Sequence, residues 1–260
     1  EGLVFDANTI RLVIGLIAML FPLVVGLRAM QITDSISWSY HTKAHDLFVG
    51  FLFVLGGYLI SYKGHQNKPV FSDEFKFRAN RLVKTAVGVI NWESIHEEDL
   101  VGWVGGIAAC VTALCPTSKC IGYDCPKDPI SNIHHIGAII LFSTTVYFCL
   151  FAFQKQVNAK IKMDEQLGQS GITPRKLRKA TYLICGFGIV VTMLCLGVMT
   201  WTKFDAIPNI TFWAETVALE MFGFAWLVSS QILPIFSDEV ERQARRSASK
   251  IGKLRTELTE

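Results

Sequence analysis

A chain of 260 residues with 51% hydrophobic residues, only 18% charged residues and a mean hydropathy of +0.36 is too apolar for one or two ordinary water-soluble domains. Its 12% aromatic content and lack of a short repeat exclude disordered and fibrous classes, leaving a polytopic membrane protein. The net charge of +3 is carried by a few basic stretches between apolar runs, so it argues neither for nucleic acid nor for an acidic substrate.

A hydrocarbon core of about 30 Å needs about 20 mostly apolar residues in a helix. Six runs of about that length lie between charged residues, at 9–30, 45–62, 98–115, 131–153, 180–201 and 211–234. The expected fold is therefore all-α, a six-helix transmembrane bundle over 1–236 followed by a charged helical tail, 237–260, that continues the sixth span. The flank of the first run holds Glu1, Asp6 and Arg11, and the run is too long for a simple signal peptide, so it is expected to be retained. Pro22 should kink this helix. Ser94 with Glu97 has capping-box spacing before the third run, Ser131 or Asn132 can cap the fourth, and Thr173-Pro174 opens the fifth.

Lysine and arginine orient the bundle. Stretches 62–98, 154–179 and 237–260 hold six, seven and six of the 25 basic residues, whereas the alternate loops carry only Arg28, Lys43, Lys119, Lys127 and Lys203. The positive-inside rule then places both termini in the cytoplasm and loops 31–44, 116–130 and 202–210 on the other side. Within the first basic stretch, Phe75, Ala79, Leu82, Val83, Ala86 and Ile90 share a helical face, so 74–91 is either an interfacial helix on anionic headgroups or a short helix packed under the bundle.

Cys110, Cys149, Cys185 and Cys195 lie within apolar runs and read as packing residues. Cys115, Cys120 and Cys125 cluster at the predicted outer face, where Cys120–Cys125 is the preferred disulfide and Cys115–Cys125 the alternative. Asn209-Ile-Thr211 forms a glycosylation sequon, but its closeness to the sixth run favours a helix cap.

The most polar constellation also falls at the predicted outer ends. His41 and His45, if helical, share one face at i and i+4; His134 and His135 open the fourth run, and Asp46 stands beside His45. Glu215 lies about one turn inside the sixth run and Glu220 about 13 Å below its start. Ionisable groups at such depth are functional candidates, and together these residues outline an outward-facing pocket for a lipid or small molecule. The same histidines, with Trp38, Tyr40, Trp201 and Trp213, also suit interfacial anchoring, and Glu220 suits a hydrogen bond between helices. No phosphate-binding glycine loop, His-Glu-x-x-His or Gly-x-Ser-x-Gly motif occurs.

Ser-Ile-Ser-x-x-Tyr-His-Thr at 35–42, Asp46-Leu-Phe-Val-Gly50, Ala-Leu-Cys-Pro-Thr at 113–117, His134-His135-Ile-Gly-Ala138, Tyr182-Leu-Ile-Cys-Gly186, Phe212-Trp213-x-Glu215 and Phe222-Gly-x-x-Trp226 resemble a bacterial six-span membrane family of unknown function. That resemblance implies a six-helix bundle and no established activity; the 116–130 loop is longer than the family's usual turn. Ser37-x3-His41 with a nearby aspartate is also similar to ingredients of the alkaline ceramidase and adiponectin-receptor superfamily of intramembrane zinc hydrolases. This second likeness implies an alternative in which His41, His45 and His134 or His135 bind zinc, Asp46 or Glu215 acts as orienting group or base, and Ser37 polarises the carbonyl of a lipid amide or ester. The chain departs from that pattern in having six runs instead of seven and no His-x3-His on the last. The leading expectation is a binding protein or accessory subunit without cofactor, whose partners are membrane lipids and other membrane subunits.

Overall fold

A computed structural model describes residues 7–29, 33–62, 97–118, 128–166, 168, 173–202, 207–239 and 242–243. The described residues are helical, with no strand among them. The helices are α1 (Ala7–Ala29), α2 (His45–Ser61), α3 (Glu97–Leu114), α4 (Pro129–Tyr147), α5 (Phe153–Gln166), α6 (Pro174–Thr202) and α7 (Ile210–Ser229). A π-helical turn, Phe148–Ala152, joins α4 and α5 into one rod, and short 3-10 turns cover Ser37–His41 and Pro234–Phe236.

Three of these segments are long and apolar enough to cross a membrane: Asn8–Ala29, Pro129–Gln166 and Pro174–Thr202. Helix α2 is apolar but shorter. The rods pack as a ring in the order α1, α2, α3, α4, α6, α7 and back to α1. The starts of α1, α3 and α6 and the ends of α2 and α7 gather at one end, called here the Arg11 end. The opposite, histidine end holds the turn before α2, the end of α3 and the starts of α4 and α7.

Two crossings explain how the backbones come so close. A Cβ on Gly15 of α1 would lie 2.8 Å from the carbonyl oxygen of Gly223 on α7, and one on Gly56 of α2 would lie 2.8 Å from that of Gly106 on α3. Small residues back to back are the usual device where helices associate without a hydrophobic gain from leaving water. Inside the ring, Trp226 is fully buried, with its ring 5.1 Å from Tyr62, 5.1 Å from Phe148, 5.2 Å from Phe153 and 5.7 Å from Phe222. Helices α2 and α7 and the α4–α5 rod thus share one aromatic plug near the Arg11 end. By contrast Ile184, Phe187, Val191, Leu194, Val198 and Trp201 form an exposed apolar stripe along α6.

Several local expectations are corrected. The fourth run begins at Pro129, and its cap is Asp128, whose carboxylate accepts the Ile130 N–H at 3.0 Å; neither Ser131 nor Asn132 caps it. Asn209 stands at the cap position of α7 in a left-handed conformation (φ 54°), but its side chain makes no capping bond. The sixth run does not continue into the tail: α7 stops at Ser229, Gln231 turns left-handed (φ 59°), Leu233 is extended, and Pro234–Phe236 forms a separate turn. A non-glycine left-handed residue costs roughly 1–2 kcal/mol, enough to make this a firm stop. The Thr173-Pro174 start holds, with the Thr173 hydroxyl accepting the Lys176 N–H at 3.3 Å. The segment 74–91, Ser94, Cys120, Cys125 and most of the charged tail lie outside the described residues.

Candidate functional site

At the histidine end the sequence-derived candidates come to separate duties. His41 and His45 do not share a helical face, because His41 ends a 3-10 turn, Thr42 is extended, and His45 begins α2. His41 Nε2 lies 2.7 Å from the Thr117 carbonyl oxygen and His134 Nδ1 lies 2.7 Å from that of Cys115. A carbonyl can only accept, so both ring nitrogens donate, and the two histidines tie down carbonyls just past the end of α3 that have no partner within the helix. His135 Nδ1 donates back to Ser131 O of its own helix at 2.6 Å. His45 pairs with its exposed neighbour Asp46 at 3.0 Å. Tyr40 links the pair of turns, its ring 5.4 Å from His41 and 4.4 Å from His45.

Glu215 is also engaged. Its carboxylate accepts the Ile36 N–H at 2.6 Å, and Phe212 N–H donates to Asp34 O at 3.1 Å, so the start of α7 staples the loop that precedes the Ser37 turn. Glu215→Gln, which keeps an acceptor, should retain most stability, while Glu215→Ala should lose about 1–3 kcal/mol by orphaning a backbone donor; a denaturation titration of the two variants distinguishes them. Zinc requires about four ligands at roughly 2.0–2.3 Å, and among the described residues no three histidines, cysteines, aspartates or glutamates could hold an ion together. Cys115 carries a free thiol here, and both proposed pairings, Cys120–Cys125 and Cys115–Cys125, involve cysteines outside the described residues.

The Arg11 end carries what the sequence reading missed. A half-open cavity of about 30 Å³ is lined by Arg11, Phe153, Gln156, Val157, Lys160, Arg178, Tyr182, Ser229 and Gln231. Among the described residues the lining includes three cationic side chains and no carboxylate. Phe153, Gln156, Val157 and Lys160 stand at i, i+3, i+4 and i+7, one face of α5. The π turn before them inserts an extra residue into the rod and so resets which face points inward. Arg178 lies one turn into α6, and the left-handed Gln231 closes the lining from beyond α7.

Arg11 is the centre of this wall. It is 9% exposed, and its hydrogen bonds among the described residues go to neutral acceptors: Tyr62 Oη at 3.2 Å, Gln156 Oε1 at 3.1 Å and Ser229 O at 3.3 Å. Its guanidinium carbon sits 5.7 Å from the Tyr62 ring centre, a cation–π contact that also leaves the charge uncancelled. Its Nε is buried with no acceptor among the described residues. Two nearby carboxylate contacts go to other residues. Glu98 accepts from Gln156 Nε2 at 3.3 Å, and Arg175 is bound by Asp164 and, at 2.7 Å, by Asp238. A buried guanidinium held only by neutral oxygens is poised for an anion.

Comparison of the chain with models of known protein families, with curated proteins and with solved structures finds no match in any of the three.

Proposed function

We propose that the chain is a multi-pass integral membrane protein that binds a small oxyanion, the phosphate of a lipid headgroup or a free phosphate, in the Arg11 cavity. The observation that carries this reading is Arg11 itself, buried, charged, without a carboxylate partner among the described residues, and lining a cavity with Lys160 and Arg178. The cavity opens outward, so an anion can set an oxygen against Arg11 with its substituent in the mouth. The lipid- or small-molecule-binding reading of the sequence is kept, and its site moves from the histidine end to the basic end because His41, His134 and His135 each commit a ring nitrogen to a backbone carbonyl and His45 pairs with Asp46.

Six spans belong to the same proposal. Helices α2, α3 and α7 fall short of the length and apolarity of α1, the α4–α5 rod and α6, yet each packs in the ring against at least one of those longer apolar segments, α2 on α1, α3 on α4 and α7 on both α6 and α1, and shares their solvent. The exposed stripe of α6 is a liability in water and ordinary against lipid. The positive-inside rule puts the Arg11 end in the cytoplasm, next to basic stretches 62–98 and 154–179. The bacterial six-span family that the short motifs resemble supplies an architecture for this reading and no activity.

The test uses detergent-purified protein at fixed ionic strength, titrated with inorganic phosphate, short-chain phosphatidic acid, short-chain phosphatidylcholine or chloride. A ligand present at 100 times its Kd raises stability by about 2.7 kcal/mol. A rise in thermal midpoint with phosphatidic acid alone identifies a lipid monoester; a rise with inorganic phosphate as well identifies the free anion as sufficient. The same response to chloride, or none to any phosphate, would falsify the proposal.

A further inference from the structure

Glu220 is left over from both ends. It is the eleventh residue of the twenty in α7, about 15 Å along the axis from Ile210, so its depth is the middle of a bilayer core of about 30 Å. Trp213, Val217 and Phe224 are exposed, and Glu220 completes their 4-3-4 spacing, which places it on the same outward stripe of the helix. The buried side of α7 is a different set: Ala218 and Phe222 among them, with Gly223 against α1. Among the described residues no hydrogen bond or ion pair reaches the Glu220 carboxyl.

An ionisable side chain in mid-membrane ordinarily faces a bundle interior or water. Here it faces outward from a complete ring, so whatever satisfies it comes from outside the chain. We propose that the Trp213–Val217–Glu220–Phe224 face of α7 docks a transmembrane helix of another protein that presents a lysine or arginine at mid-membrane depth. Charge complementarity selects that occupant. The basic residues of α1 and α6 stand near helix ends, at Arg11, Arg28, Arg175, Lys176, Arg178 and Lys179, and a second copy of this face would set carboxyl against carboxyl. Lipid tails offer no hydrogen-bond partner. The proposal rests on α7 crossing the bilayer and is independent of whether the Arg11 cavity binds phosphate.

The experiment reconstitutes the whole chain in phosphatidylcholine bilayers with a labelled poly-leucine transmembrane peptide carrying one central lysine, or its all-leucine parent. Energy transfer should show the lysine peptide binding roughly tenfold tighter than its parent. That advantage should vanish in Glu220→Leu and also in Val217→Trp, which keeps the carboxyl and obstructs the face. The lysine peptide should also shield Glu220 from dicyclohexylcarbodiimide. Equal binding of the two peptides, or an advantage that survives Glu220→Leu, overturns the inference. Self-association of the chain that Glu220→Leu abolishes overturns it in favour of a second copy. Labelling of Glu220 by a water-soluble carbodiimide would instead show that α7 does not cross the membrane, which removes the reading on which the inference stands.

Discussion

Arg11→Gln is expected to leave the thermal midpoint of the ligand-free protein unchanged or to raise it, while abolishing the rise that phosphate gives the parent. Both halves follow from the same geometry. Keeping a cation buried with only neutral partners costs several kcal/mol in lost hydration, so neutralising it relieves the apo protein. Glutamine still offers an amide to Tyr62 Oη or Gln156 Oε1, which limits the loss of hydrogen bonding. Hydrogen bonds between charged groups contribute about 1.5–3 kcal/mol, so the variant should bind phosphate roughly one to two orders of magnitude more weakly. Thermal unfolding with and without phosphatidic acid measures both effects. A variant that is much less stable yet responds fully to ligand would show that Arg11 is a structural strut.

The largest effect on stability is expected at the α1–α7 crossing. In Gly15→Val a side chain would begin 2.8 Å from the Gly223 carbonyl oxygen and 2.9 Å from the Leu227 backbone nitrogen, and backbone cannot step aside as a flexible side chain can. Forcing such atoms into a packed interface costs about 1–3 kcal/mol or more. Gly57→Ala is the control, since a Cβ there meets nothing within 4 Å and alanine gains about 0.8–1 kcal/mol of helix propensity over glycine. Equilibrium unfolding in a mixed-detergent titration should separate the two variants by several kcal/mol. Equal stability would mean that α1 and α7 do not cross at these glycines.

The helices were legible because long apolar runs bounded by charged residues mark them in the sequence. The second run, 45–62, and α2, His45–Ser61, nearly coincide for that reason. Helix ends were less legible where the deciding group lies off the pattern: Asp128 precedes the fourth run, and the stop after Ser229 depends on a left-handed glutamine that no composition rule favours. The histidines were visible as a group, but their partners were not, because the acceptors are backbone carbonyls of Cys115 and Thr117, which carry no sequence signal. The Arg11 cavity was hidden by the success of another rule. Lys160 and Arg178 count toward the positive-inside bias and Arg11 toward the flank of the first run, and that bookkeeping does not ask which of those charges fold inward. The available clue was Arg11 within a run otherwise free of charge until Arg28.

The most direct test of the account is an experimental density map of the protein in lipid nanodiscs prepared with and without phosphatidic acid. The expected result is a phosphate-sized feature in the Arg11 cavity with phosphatidic acid, within about 2.7–2.9 Å of Arg11 nitrogen donors, at the end of the bundle where α1 begins and α7 stops, and its loss in Arg11→Gln. A cavity holding only water under both conditions, with Arg11 paired to a carboxylate of its own chain, would contradict it.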